Sequence, residues 1–128
     1  MIQTKLNRFL ITGLALAILS PMAQANDNIL KIYEEFSVAR AVIDHCHSPS
    51  KQEFNQFLEN FAAVNQLTAL ELKGMYPDKS PQALSNAVQK RSTFIAGNTD
   101  MKIIRTGCDT PFVKEAIERF PKLLEWKP

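Results

Sequence analysis

Apolar positions from Ile29 onward recur at helical spacing rather than in alternation. Ile29, Ile32, Phe36, Ala39, Ile43 and Cys46 follow a 3-4-3-4-3 pattern that lines one face of a helix running from about Asp27 to Cys46. Lys31 with Glu35, and Arg40 with Asp44, sit four apart, as ion pairs on a solvent face would. Phe54, Phe57, Leu58 and Phe61 then open a second helix, Ser50 to Tyr76, to which Leu72, Met75 and Tyr76 return. Between these groups the pattern shifts. Asn65 and Thr68 fall on the core face, and Leu67 and Leu70 fall away from it. The second helix therefore bends, is buried on two sides, or presents a separate apolar face.

Leu84, Ala87, Val88 and Ile95 give a thinner stripe and predict a third helix from Pro81 to about Ala96, stopped by Gly97-Asn98. Met101 to Arg105 reads equally as a helical turn or an extended link. Val113, Ile117, Phe120 and Leu124 form the face of a fourth helix starting at Pro111, with a kink or restart expected at Pro121. Ser48-Pro49, Ser80-Pro81 and Thr110-Pro111 each offer a hydroxyl for an N-cap and proline for the first helical position. Ser50 and Glu53 form a capping box that competes with the first of these. Without sustained period-two alternation, strands are not expected. The predicted fold is all-α: a four-helix bundle.

The first 25 residues have a different layout. Lys5 and Arg8 precede an apolar run of twelve residues, Phe9 to Ser20, followed by Pro21-Met22 and the small-x-small triplet Ala23-Gln24-Ala25. This is the arrangement of a cleavable signal peptide. The run is shorter than the roughly twenty residues a bilayer core requires. Processing is expected before Asn26, leaving residues 26–128 as a single domain in the periplasm or medium, with no stable membrane insertion. No cysteine lies near the cleavage point to take a lipid.

That export route makes a disulfide the expected state of Cys46 and Cys108. Closing a loop of about 60 residues is worth roughly 4 kcal/mol in chain entropy. The staple would tie the end of the first helix to the start of the fourth.

The formal charge of +2 comes from the leader, since Lys5 and Arg8 are two of the 15 cations and the remaining 13 balance 13 acids. A neutral domain implies no nucleic-acid partner and no basic stripe for anionic lipid.

Candidate chemistry is sparse. In Asp44-His45-Cys46-His47, consecutive helical side chains point about 100° apart and cannot converge on one ion. The two histidines suit a helix C-terminus, and no metal is expected. The chain has no C-x-x-C-H, C-x-x-C, phosphate loop, G-x-S-x-G or H-E-x-x-H, so neither a cofactor nor catalysis is expected. Leu67 and Leu70 are the candidate partner-binding face. Trp126 is a second candidate, because tryptophan favours interfaces, although it would equally pack the C-terminal tail onto the bundle.

In architecture alone, the layout resembles the helical pilotins of type II secretion, small disulfide-bonded four-helix envelope proteins that hold a helical tail of a secretin. The resemblance implies a binding role and carries no residue assignments; the pilotins' lipid-attachment cysteine has no counterpart here. The expected function is a non-catalytic accessory protein that binds a protein partner of an envelope secretion or conjugation apparatus. The alternative is a periplasmic toxin, immunity protein or enzyme inhibitor.

Overall fold

Capping chemistry sets the helix starts. The computed structural model describes residues 29–128, and the expected leader and cleavage site lie outside them. Four helices are present among the described residues: α1 (residues 29–45), α2 (Lys51–Met75), α3 (Pro81–Thr106) and α4 (Pro111–Glu125).

At the start of α2 the capping box prevails over Ser48-Pro49. Ser50 Oγ accepts from Glu53 N–H at 3.1 Å, and Glu53 Oε1 accepts from Ser50 N–H at 3.0 Å. The bond from the Ser50 backbone holds the Glu53 carboxyl below its ordinary pKa. Ser80 caps α3 through Ala83 N–H, and Thr110 caps α4 through Val113 N–H, each followed by proline at the first helical position.

The third helix does not stop at Ala96. It continues through Gly97-Asn98 for another turn and a half beyond Asp100 and ends at Thr106, where Gly107 adopts φ 80° and its N–H bonds to the Ile103 carbonyl. Burial carries it past the glycine. Thr99 and Ile103 lie in the interior, and Thr99 Oγ1 donates to the Ile95 carbonyl at 2.8 Å. A helical glycine costs only about 1 kcal/mol relative to alanine, less than burying the turn beyond it returns. Likewise α4 runs through Pro121 without a restart, because Phe120 and Leu123 on either side are both buried.

The main core gathers Phe36 from α1, Phe57 and Phe61 from α2, and Phe120 from α4. Phe36 lies 5.3 Å from Phe57 and 5.6 Å from Phe61, centroid to centroid. A second cluster, Val42, Ile103, Val113 and Ala116, fills the end closed by the disulfide. Cys46 and Cys108 are bonded, with Cα atoms 5.5 Å apart, and so join the end of α1 to the short link before α4.

The helix wrapped most fully by its neighbours is α1, where Tyr33, Ser37, Ala41 and Val42 are buried in addition to the expected Phe36 and Ala39. This wider burial redirects its charges. Glu35 pairs across to Arg119 on α4 at 3.7 Å, and the Arg40 guanidinium lies over the Phe54 ring at 5.1 Å. Neither within-helix pair expected from spacing, Lys31 with Glu35 or Arg40 with Asp44, forms among the described residues.

Candidate functional site

Helices α2 and α3 run antiparallel through the short turn at 76–80. Lys73 Nζ pins that turn by donating to the carbonyls of Pro77 at 2.9 Å and Lys79 at 2.6 Å. Above it, α2 and α3 line a groove of about 560 Å³ to which α1 contributes no residue. Ala62, Ala69 and Leu70 form its α2 wall, with Leu84 and Val88 on the α3 wall. Leu70 is 68% exposed, so a large aliphatic side chain stands open to solvent at the edge of this apolar cleft.

Asn65 also lines the groove. Its Oδ1 is buried and has no hydrogen-bond partner. A buried amide oxygen without a donor is costly, so the site favours an occupant that brings an N–H or O–H with its apolar surface.

The three residues expected to bind a partner are not brought together. Leu70 stands in the groove. Leu67 is half-buried and outside the groove lining. Trp126 packs back onto the bundle, edge-on to Phe36 at 6.2 Å. The polar interruption in α2 is absorbed locally: Thr68 is buried and donates to the Val64 carbonyl at 2.7 Å.

The Asp44-His45-Cys46-His47 run is dispersed in the same way. His45 Nε2 meets Asp100 Oδ1 on α3 at 3.0 Å, Cys46 is in the disulfide, and His47 lies edge-on to Phe120 at 5.0 Å. His45 stays at the surface, where it links α1 to α3, and His47 links the end of α1 to α4. Among the described residues, no group of three His, Cys, Asp or Glu side chains is placed to hold a metal. No helix there is long and apolar enough to cross a membrane.

Behind the groove, Tyr33 of α1 donates its phenol proton to the Val88 carbonyl. Burial raises the phenol's pKa above its ordinary value, against the opposing pull of the Arg91 charge and of hydrogen bonds from Ser92 and Ser37.

Sequence periodicity missed two features. Asn65 was legible as a polar residue on a core face, but its lack of a partner depends on where α3 lies. Phe94, Met101 and Ile104 are exposed on α3, and their common face emerges only once the helix is known to continue past Gly97. Compared with known proteins, the chain matches no family model, no curated protein and no solved structure.

Proposed function

We propose that the protein is a non-catalytic binding module of the cell envelope, exported by its leader, that seats an apolar segment of a protein partner in the α2–α3 groove and serves a secretion or conjugation apparatus. The observation carrying this reading is the pairing of an exposed Leu70 with the unpartnered Asn65 Oδ1 in one cleft. Apolar walls supply affinity, and a single unsatisfied acceptor fixes the register of what enters. The Lys73 bonds that pin the turn beside the groove suit this role, because a groove wall fixed before binding lowers the ordering cost.

The test is site-specific photo-crosslinking in cells, with a photoreactive residue at position 70 and a control at Lys122 on the far helix. A discrete adduct with an envelope protein from position 70 only, lost when Ser85→Trp fills the cleft, is the expected result. Adducts from both positions, or from neither, would refute it.

A further inference from the structure

We infer that the outward face of α3 is a docking surface for an anionic lipid layer. Phe94, Met101 and Ile104 are 58%, 64% and 74% exposed. At 100° per residue they fall within an arc of about 80°, directly opposite the buried Leu84, Val88, Thr99 and Ile103. Along the axis they cover about 15 Å.

Cations frame this apolar stretch at both ends, with Lys90 and Arg91 before it and Arg105 after it. The Arg91 guanidinium lies over the Phe94 ring at 5.4 Å, so charge and apolar surface are presented together. None of Lys90, Arg91 and Arg105 belongs to an ion pair among the described residues, while Lys102 is turned aside over the Phe112 ring of α4 at 4.1 Å. The one acid of α3, Asp100, points to the other flank and is engaged by His45. Although residues 26–128 are neutral in sum, α3 carries four cations against one acid, and three of them, Lys90, Arg91 and Arg105, bracket the ridge.

Charge selects the occupant. A symmetric antiparallel pairing with a second copy would set Lys90 and Arg91 against the other copy's Arg105, and like charges would oppose it. The α2–α3 groove does not reach this face, since its α3 wall stops at Gln89. What remains is a convex apolar ridge with positive ends, matching a flat layer that offers acyl chains beneath negative headgroups. This surface is separate from the groove, and its test does not depend on the groove reading.

An environment-sensitive fluorophore on Asn98→Cys, exposed beside the ridge, reports docking in the full, oxidised chain. Vesicles of equal phosphatidylglycerol and phosphatidylcholine should shift its emission to the blue, and phosphatidylcholine alone should not. Phe94→Ser with Met101→Ser, and separately Lys90→Glu with Arg105→Glu, should each raise the lipid concentration for half-effect about tenfold. A matched label at Leu70→Cys should stay unshifted, which separates docking of α3 from binding through residues 1–25. The inference is overturned if position 98 does not shift, if positions 70 and 98 shift alike, if charge reversal leaves the response unchanged, or if the emission changes with protein concentration in the absence of lipid.

Discussion

The Tyr33 hydroxyl donates to the Val88 carbonyl, and so joins α1 to the residue of α3 that forms part of the groove wall. The two residues are 55 positions apart, and the bond is buried. Tyr33→Phe should therefore cost about 1 kcal/mol, the net worth of a buried hydrogen bond. The phenol also sets a pH limit. Its folded pKa is raised above the ordinary value of 10.0, so its contribution is fully present below that value and is lost as pH rises through the folded pKa. Thermal melting between about pH 8 and about pH 11 should show a steeper alkaline decline in the parent than in Tyr33→Phe. Parallel curves would contradict the assignment.

The Cys46–Cys108 bond closes a 62-residue separation between the end of α1 and the link to α4. Reduction, or Cys46→Ser with Cys108→Ser, should remove roughly 2–4 kcal/mol. The loss should be read from denaturant midpoints under oxidising and reducing conditions. Unchanged midpoints would mean that the Val42–Ile103–Val113 cluster holds that end alone.

Asn60 is a buried polar residue on the core face of α2, and its amide donates to the carbonyls of Leu123 at 2.9 Å and Leu124 at 3.1 Å. Those carbonyls belong to the last turn of α4, where the Leu123 carbonyl otherwise receives only the long 3.4 Å bond from the Trp126 N–H. Asn60→Ala should cost about 1–3 kcal/mol by leaving buried acceptors without partners. Faster hydrogen exchange confined to the α4 C-terminus at modest denaturant would identify this as the mechanism. A uniform increase across all four helices would point to general loss of packing.

Gly97 lies inside α3, and a Cβ built there would meet no atom within 4 Å. Gly97→Ala should therefore raise stability by about 0.5–1 kcal/mol, through the smaller entropy of the unfolded chain. A lowered melting temperature would show that a neighbour crowds position 97 in the folded chain, against the open space around a Cβ there.

Local signals explain why so much of the architecture could be read in advance. The Ser80-Pro81 and Thr110-Pro111 starts, the Ser50–Glu53 box and the Phe36, Phe57 and Phe120 positions depend on spacing within one helix. The end of α3 was not legible, because Gly97-Asn98 is a good stop signal that yields to the burial of Thr99 and Ile103 by other helices. The site was legible only in part for the same reason. Periodicity separated Leu70 from the core, but the groove beside it is completed by Leu84 and Val88 of α3, which spacing within α2 cannot contain. The ions of α1 show the same limit: Glu35 is drawn to Arg119 and Arg40 to Phe54, choices that i,i+4 spacing cannot contain.

Leu67 and Leu70 share a sequence pattern but not an environment, so their substitutions should separate. Leu70 is 68% exposed, and Leu70→Ser should change stability by no more than about 0.5 kcal/mol. Leu67 is half-buried, and Leu67→Ser should cost about 1–2 kcal/mol through lost apolar burial. The order should reverse for partner binding. Leu70 lines the groove, and its truncation should weaken a complex by on the order of 1–3 kcal/mol, whereas Leu67 should act only through the folded fraction. Melting curves of the two variants, set beside the crosslink yield in each with the photoreactive residue moved to Ala62 on the same groove wall, make the comparison. If Leu70→Ser melted well below the parent, the residue would belong to the core and the groove would lose its binding face.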